Sequence, residues 1–300
     1  MRIEQLEYLA AVTQHGSLRR ASERLHLSQP ALGEAITKLE RELGVTLLDR
    51  RRSGARISAQ GRDLLHNMVE VLEAVDRLKE AAGDQRAGSR VVRVGTVNAA
   101  TAPLLAPAIR RFQAAVPGAS VEVVNEQQAE IHQALLEGSL DLGLVNVLDG
   151  DDRSPGLVGT DLLHGRPVVV LPAAHPLAVH AEVTVEQLRR ERFVLMRAGY
   201  LMHRFAHRLF GADLPRDRHT TDGAEMGKLL VVEGLGVTVL PEYSVVGDPL
   251  ERAGLLTVRP IAGDHTGVTL VLQQRRADHV PAAVRELHAA LVAQARSAGA

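Results

Sequence analysis

Cysteine and tryptophan are absent from this chain of 300 residues, and aromatic side chains make up only 2% of it. The lack of cysteine excludes disulfides, thiolate nucleophiles and thiolate-bound metals. No run of about 18 apolar residues occurs, and the N-terminus lacks the apolar segment of a signal peptide. We therefore expect a soluble cytoplasmic protein, with no membrane partner, whose cores are built from aliphatic side chains.

Sequence motifs of enzymes are missing as well. No serine stands in a nucleophile elbow, and Gly234-Leu235-Gly236 lacks the third glycine of a dinucleotide loop and precedes a predicted strand. His203 and His207 have the i, i+4 spacing of metal ligands on a helix, but Arg204 stands where a zincin-like motif has glutamate. We predict a protein that is not an enzyme and that holds no cofactor or metal.

Charge is distributed unevenly along the chain. Residues 1–62 contain eleven Lys and Arg against seven Asp and Glu, a net charge of +4, while the whole chain carries −1. The remainder is therefore acidic, at about −5. A basic head on an acidic body indicates a nucleic-acid partner for the head.

The basic head has the apolar spacing of three short helices. Gly16 ends the first, Ser17 can cap the second, and a turn at His26 leads to Ser28, a good N-cap for the third. This order predicts a helix-turn-helix, which places one helix face in the DNA major groove. The apolar positions are Ile3, Leu6, Leu9 and Val12, then Leu18, Ala21 and Leu25, then Leu32, Ile36 and Leu39.

The third helix has a polar face that suits base contacts. Gln29 can bond bidentately to adenine, and Lys38 can reach guanine or phosphate. Glu34 either accepts from the amino group of cytosine or repels phosphate. The same composition also fits an ordinary solvated face. The predicted DNA-contacting residues of this helix are Ser28, Gln29, Pro30, Gly33, Glu34, Thr37 and Lys38.

A basic, glycine-containing segment follows at residues 49–58. Alone, such a segment is usually a solvated loop, but after a helix-turn-helix it predicts a β-wing that lays arginines along the phosphate backbone. We assign residues 1–60 to a winged helix-turn-helix domain. The predicted wing contacts are Arg50, Arg51, Arg52 and Arg56.

An amphipathic helix is predicted over residues 61–83, because Leu65, Met68, Leu72 and Val75 recur at spacings of three and four. Such a stripe needs a partner, which is either its own domain or a second copy of the helix. Residues 84–90 have the composition of a hinge.

Predicted strands and helices alternate over residues 91–300, which indicates α/β layers around mostly parallel sheets. Strands are predicted at 91–97, 120–124, 141–147, 157–163, 167–171, 193–196, 237–240, 255–258 and 268–273. Helices are predicted at 102–115, 130–137, 185–190, 201–210, 224–233 and 280–296.

Residues 1–62 resemble the DNA-binding domain of LysR-type transcriptional regulators. The resemblance implies that Gln29, Pro30 and Gly33-Glu34 face bases and that Arg50 faces the backbone. Many members have a polar-basic pair where Gly33-Glu34 stands, so the operator preference stays open. The matching segments are Gly16-Ser17, Ala21-Ser22-Glu23-Arg24-Leu25, Leu27-Ser28-Gln29-Pro30-Ala31-Leu32, Leu43-Gly44-Val45, Leu47-Leu48-Asp49-Arg50 and Gly61.

Residues 91–300 resemble the LysR effector-binding domain, which is itself similar to periplasmic solute-binding proteins. The resemblance implies a lobe I at about 91–163 and 267–300 and a lobe II at about 167–260, with crossovers near 163–167 and 259–267 and a ligand between them. The matching segments are Pro117-Gly118, Leu140-Asp141-Leu142, Leu171-Pro172, His175-Pro176-Leu177-Ala178, Glu233-Gly234-Leu235-Gly236-Val237 and Leu240-Pro241.

The resemblance also implies which loops line the cleft. Arg197 and the N–H groups at helix starts suit a carboxylate or another anion, although each polar residue also fits an ordinary loop. The predicted effector-binding residues are Thr96, Asn98, Ala99, Thr101, Gln127, Gln128, Arg197, Gly199, Tyr200, Thr221 and Asp222.

Together these features imply an allosteric bacterial regulator of transcription. The implied partners are double-stranded promoter DNA, a small-molecule effector of unknown identity, further copies in a homodimer or homotetramer, and RNA polymerase. A solute-binding module without a DNA role and an enzyme on the same fold are the alternatives. The basic wing and the Gln29 face disfavour both.

Overall fold

The computed structural model describes residues 1–51, 54–81, 91–152, 154–215, 217–277 and 280–298. Arg52 and the predicted hinge at 84–90 lie outside the described residues, as do the side chains of Arg50, Arg51 and Arg56. The chain divides into two compact units, Met1–Ala87 with Gln133–Leu140 and Gly88–His132 with Asp141–Ala300.

The first unit contains the predicted helix-turn-helix and wing, and both predictions are confirmed. Leu9, Leu32, Ile36 and Leu39 are fully buried and form its core, because their spacing puts them on the inner faces of the helices. The elements are α1 (Ile3–His15), α2 (Leu18–Leu25), α3 (Gln29–Leu43), the hairpin β1 (Leu48–Arg51) and β2 (Gly54–Ile57), and α4 (Ala59–Ala81).

Helix ends follow the predicted signals with one exception. Gly16 and His26 adopt left-handed conformations (φ 61° and 55°), which end α1 and α2. The Ser28 hydroxyl accepts from the Ala31 N–H at 3.3 Å, as predicted for an N-cap. Ser17 stands at the N-cap of α2, but its side chain makes no capping hydrogen bond, so that part of the prediction is wrong.

Helix α4 covers only part of its apolar stripe within one chain. Leu65 and Met68 are buried, and Met68 belongs to the core of the first unit. Farther along, Val71 and Leu78 are exposed, Leu78 at 71%. The first half of α4 therefore packs on its own domain, while exposed apolar side chains remain in the second half.

The second unit contains two main sheets. The first has the strand order β4-β3-β5-β12-β6, in which β3 is parallel to β4 and β5, while β12 is antiparallel to β5 and β6. Its strands are β3 (Val91–Thr96), β4 (Ser120–Asn125), β5 (Leu142–Leu148), β6 (Leu157–Gly165) and β12 (Val268–Arg275).

The second sheet has the order β10-β7-β11 and is antiparallel throughout. A parallel pair of β8 and β9 adjoins it, because the Val194 N–H donates to the Val237 carbonyl just before β10. The strands are β7 (Pro167–Pro172), β8 (Phe193–Met196), β9 (Arg218–Thr221), β10 (Thr238–Pro241) and β11 (Leu256–Pro260).

The expectation of mostly parallel sheets is wrong, and the chain path explains it. Strand β6 passes into the second sheet with Arg166 as the only residue before β7, and β11 returns to β12 through residues 261–267. The outgoing strand β6 and the returning strand β12 therefore run in opposite directions in the first sheet, and β7 and β11 do so in the second. We use lobe I for the part built on the first sheet and lobe II for the part built on the second.

The helices of the second unit connect these strands. The helix predicted at 102–115 is a π-helical turn, Thr101–Leu105, followed by α5. Short 3-10 turns occur at Pro176–Val179 and Glu242–Ser244. No helix in the described part of the chain combines the length and the apolar character that crossing a membrane requires. The α-helices are α5 (Ala106–Ala115), α6 (Gln128–Leu136), α7 (Val185–Leu188), α8 (Leu201–Phe210), α9 (Gly223–Val232), α10 (Pro249–Arg252) and α11 (Ala282–Ala298). Residues 133–136 at the end of α6 belong to the first unit.

Candidate nucleic-acid interface and ligand cavity

Helix α3 has one buried side and one solvent-facing side. Gln29, Glu34 and Lys38 are exposed, opposite the buried leucines and isoleucine of the core. Thr37 is partly exposed, and its hydroxyl donates to the Gly33 carbonyl at 2.9 Å. A shallow depression on this face is lined by Leu18, Gln29, Pro30, Gly33, Glu34 and Thr37.

Gly33 leaves open space on the exposed face of α3. A Cβ atom built at this position meets nothing within 4 Å, so packing inside the head does not demand glycine. Glycine inside a helix lowers its stability relative to alanine. A backbone without a side chain at this point allows another surface to approach closely.

The wing is held against the end of α3 by partly buried polar contacts. The Glu40 Oε1 atom accepts from the backbone N–H groups of Leu47 and Leu48 at 2.9 and 3.0 Å. The Ser58 hydroxyl donates to the Thr46 carbonyl and accepts from the Gly61 N–H. A Cβ atom at Gly61 would lie 2.5 Å from the Leu47 carbonyl oxygen, so this approach requires glycine.

The wing itself is a short antiparallel hairpin. Arg50 pairs with Ala55 and Asp49 pairs with Arg56 across its two strands. The hairpin therefore carries arginines on both strands next to α3. This is the arrangement in which a wing follows a phosphate backbone while a helix reads bases.

A cavity lies between lobes I and II. It is located where β3, β8 and β10 end and where α6, α8 and α9 begin, the usual position for ligands in α/β folds. Lobe I contributes Val97, Ala99, Gln128 and Asn146, and lobe II contributes Met196, Gly199, Tyr200, Leu201, Met202, Gly223, Ala224, Leu240 and Pro241.

Several contacts connect the two lobes around this cavity. The buried Tyr243 hydroxyl donates to Asn146 Oδ1 at 2.8 Å, and burial raises the pKa of Tyr243 far above its ordinary value. On one side of the cavity, Arg204 of α8 pairs with Asp151 of lobe I at 2.6 Å.

Two glycines of lobe II allow lobe I side chains to approach closely. Gly199 has φ +98°, and a Cβ atom there would lie 1.8 Å from Gln127 Oε1. Gly223 has φ +69°, and a Cβ atom there would lie 3.2 Å from the Asn98 Cβ. Both positions therefore favour glycine because of backbone conformation and space.

Tyr200 closes one wall of the cavity and is only 7% exposed. Burial, followed by the Asp222 carboxylate, raises the pKa of Tyr200, while a hydrogen bond with Asn125 and the Arg197 charge lower it. Arg197 Nε pairs with Asp222 Oδ1 at 2.8 Å, and about half of each side chain is exposed.

The loop after β3 has an unusual backbone. Asn98 and Ala100 adopt positive φ angles of 55° and 52°, which non-glycine residues adopt infrequently. The Asn98 N–H donates to the Thr96 hydroxyl at 3.1 Å. The Thr101 hydroxyl is buried without a hydrogen-bond partner among the described residues. Such conformations concentrate at functional loops.

The predicted effector-binding residues fall into two groups. Ala99, Gln128, Gly199 and Tyr200 line the cavity. The others surround it: Thr96 and Thr221 are buried, Asn98 and Gln127 contact the two glycines, Thr101 begins the π-helical turn, and Arg197 and Asp222 form the exposed ion pair.

Sequence reasoning missed the larger share of the cavity wall. Met196, Met202 and Leu240 have patterns that are also typical of ordinary core positions, so no local signal separates them. Asn146 did carry a signal, because it is the polar residue of the otherwise apolar strand β5.

Lys228 is a second feature that sequence reasoning missed. Its side chain is fully buried, with Nζ 2.5 Å from Asp248 Oδ2 and 3.1 Å from both Glu225 Oε1 and the Ser244 carbonyl. These bonds connect α9, whose first turn lines the cavity, to the segment that follows Tyr243. A buried ion pair of this kind fixes the relative positions of the two segments.

His203 and His207 lie close together, with their Nε2 atoms 3.2 Å apart. Burial, followed by the neighbouring His207, lowers the pKa of His203. No group of three or more metal-ligating side chains occurs in the part of the chain that the structure describes.

The two units thus define a DNA-binding winged helix-turn-helix and a two-lobed ligand-binding domain. The profile described as "Bacterial regulatory helix-turn-helix protein, lysR family" matches residues 3–62, and the profile "LysR substrate binding domain" matches residues 85–296. The chain belongs to the LysR family of transcriptional regulators. It is a DNA-binding regulator with an effector-binding domain and is not an enzyme.

Similar proteins support this placement. The Hca operon transcriptional activator HcaR of Escherichia coli (strain K12) is 29% identical over 286 residues, covering 94% of each chain. The probable hydrogen peroxide-inducible genes activator of Streptomyces viridosporus is 32% identical over 298 residues, covering 96% of this chain and 93% of the relative.

Solved structures show the same fold. A full-length OxyR variant from Pseudomonas aeruginosa has a TM-score of 0.72 at 24% identity, covering 97% of this chain and 98% of that one. Full-length CbnR complexed with its target DNA has a TM-score of 0.57 at 23% identity, covering 99% of this chain and all of that one.

Proposed function

We propose that α3 and the wing read a promoter sequence, with base contacts from the α3 face and phosphate contacts from the arginines of the hairpin. The observation that carries this proposal is the exposed Gln29, Glu34 and Lys38 face on a helix whose other side is fully buried. A rigid core fixes such side chains at the surface, where they can reach base edges.

The DNA-binding form is a homodimer or a homotetramer. Exposed Val71 and Leu78 on α4 support this, because an apolar helix surface is stabilised by pairing with another copy. Two heads then contact two half-sites, and the bound regulator acts on RNA polymerase in the cytoplasm.

A small molecule in the cavity controls DNA binding. A ligand that prefers one arrangement of the lobes shifts the population toward it and changes the spacing of the heads, and hence the bend of the promoter. Two relatives are named as hydrogen peroxide-inducible activators. This chain contains no cysteine, so oxidation of a thiol is excluded as its signal.

Footprinting of the full-length protein on its own upstream DNA tests the reading role. We expect a discrete protected site that disappears in the Gln29→Ala, Lys38→Ala variant. Arg110→Ala, which removes an exposed cation from α5, serves as the control and should keep the site. Protection that is diffuse, or that survives the double substitution, would contradict the proposal.

Coupling between cavity and DNA can be tested without a known ligand. Tyr243→Phe removes the hydrogen bond to Asn146 and should shift the balance between lobe arrangements. We expect a changed footprint length or bend angle in circular-permutation gel shifts. A footprint and bend identical to those of the unmodified protein would contradict control through the lobes.

A further inference from the structure

The cavity wall has no charged side chain among the described residues. Aliphatic side chains and methionines line it together with Gln128, Asn146 and Tyr200, and its exposed surface is divided almost evenly between polar and apolar atoms. A wall of this composition suits a small uncharged molecule that has both an apolar part and a polar group.

The nearest arginine is not available as a simple anion receptor. Arg197 is not part of the wall, and its guanidinium is 2.8 Å from Asp222. The pair is neutral overall, so a buried carboxylate would lack a compensating cation. Burying a charge without a partner costs far more than burying a hydrogen-bonded neutral group.

Acidic groups act on the same wall. Asp222 directly precedes Gly223 of the wall, and after burial it raises the pKa of the Tyr200 hydroxyl, as Glu130 does more weakly. Arg197 opposes this effect less strongly. An incoming carboxylate would experience the same repulsion.

The helix N-termini at the cavity do not offset this repulsion of a carboxylate. The start of α9 carries Asp222 at its N-cap and Glu225 in its first turn, which offset the helix dipole. The start of α8 has no acidic residue, and Leu201 and Met202 of its first turn line the cavity. A helix start carries roughly half a charge, which suits a carbonyl or hydroxyl oxygen.

Hydrogen-bonding groups of both kinds remain for a neutral ligand. Asn146 uses its amide oxygen for Tyr243, and its other polar group is an NH2 donor. Gln128 offers both an acceptor and a donor. Such amide groups recognise an amide, ketone or alcohol without any charge.

We infer that the cavity binds a small uncharged molecule with an aliphatic body and one carbonyl, amide or hydroxyl group, in preference to a carboxylate. This inference rests on the proposed function, because it concerns the effector of the same cavity. It departs from the anionic effector that Arg197 and the helix starts suggest from sequence alone.

Calorimetric titration of the full-length protein at neutral pH and fixed ionic strength tests the inference with matched probes. The pairs are hexanamide with hexanoate, and cyclohexanecarboxamide with cyclohexanecarboxylate, which differ in charge and hardly in shape. We expect each amide to bind at least about tenfold more tightly than its carboxylate. Equal or tighter carboxylate binding, or no binding of either amide, would overturn the inference.

Two substitutions in the cavity wall, with one control outside it, test whether the probes bind in the cavity. Ala224→Leu fills the cavity and should abolish amide binding, while Met226→Leu, on the exposed side of the same helix, should retain it. Gln128→Lys adds a cation at the half-buried wall and should shift preference toward the carboxylates by about tenfold. Amide binding that ignores both cavity variants would overturn the assignment.

The titration needs no DNA, so its outcome is separable from that of the footprint. Amide binding with a failed footprint would remove the promoter-reading role and keep the cavity assignment. A footprint with no amide binding would keep the promoter-reading role and remove the cavity assignment.

Discussion

Helix α3 and the inter-lobe cavity present opposite chemistry to their partners. On α3, Gln29, Glu34 and Lys38 are exposed on a rigid helix, and charge is displayed to solvent. In the cavity wall no charge is displayed among the described residues, and the nearby Lys228 is buried in an ion pair. DNA, a polyanion, contacts exposed charged side chains, which stay solvated in the free protein at little energetic cost. A small ligand contacts a desolvated surface, whose shape depends on the packing around it.

The largest expected effect is on the free energy of unfolding, when a buried lysine is replaced and the result is compared with replacement of an exposed one. Lys228→Met leaves the Asp248 carboxylate buried without its cation, and we expect the free energy of unfolding to fall by about 3–5 kcal/mol. Lys38→Met on the exposed α3 face should change it by no more than about 0.5 kcal/mol. Urea denaturation followed by circular dichroism measures both.

The double variant Lys228→Met, Asp248→Asn is the control for this comparison. Asparagine keeps an oxygen for the N-cap bond to the Leu250 N–H and removes the unpaired charge. Most of the lost stability should return. A Lys228→Met protein as stable as the unmodified one would contradict the role of the buried pair.

A second comparison separates base reading from phosphate binding within the head. Gln29→Ala should cost about 1–3 kcal/mol at the specific site and relax sequence preference there. Arg50→Ala should weaken binding uniformly across sequences and reduce the slope of log affinity against log salt by about 0.9. Gel-shift titrations on specific and scrambled duplexes distinguish them. The same change in sequence preference and salt slope for the two variants would contradict separate roles in base reading and phosphate binding.

A third comparison replaces one glycine in each region by alanine. The two changes in stability should have opposite signs. Gly33→Ala should stabilise the head by about 0.5–1 kcal/mol, since the site is helical and open, while weakening DNA binding. Gly199→Ala should destabilise by about 1–3 kcal/mol, because of its positive φ and the Gln127 side chain. Thermal unfolding of both variants gives the signs. A stabilising Gly199→Ala would contradict the described close approach.

The smallest expected effect is a dependence of stability on pH that arises in the ligand-binding domain. Burial lowers the pKa of His132, His203 and His288 from the ordinary value of 6.5. The unfolded chain then binds more protons than the folded one below about pH 6.5, so stability is present above that pH and decreases as the pH falls. His132→Gln should flatten the profile measured by thermal unfolding, relative to the exposed-residue control His219→Gln. An unchanged slope would contradict the burial effect.

The head was predictable from sequence because its information is local. Ser28, Pro30 and the Leu32–Ile36–Leu39 spacing specify α3 within fifteen residues, and the hairpin follows at once. Each of these signals acts over three or four positions, so no distant part of the chain has to be known.

The cavity was predictable only in outline because distant segments form it. Asn146 and Tyr243 are 97 positions apart, and no periodicity connects them. Strand β9 was missed because Arg218, His219 and Thr220 are exposed and show no apolar alternation. The mixed sheets were missed because strand direction depends on the path between lobes, which periodicity within each strand does not encode.

A salt-series titration of the full-length protein on its own upstream DNA measures directly whether the α3 face reads sequence. We predict specific binding with a steep negative salt slope, and loss of that specificity in the Gln29→Ala, Lys38→Ala variant while weak nonspecific binding survives. An affinity that is the same for scrambled DNA and unaffected by the double substitution would contradict it.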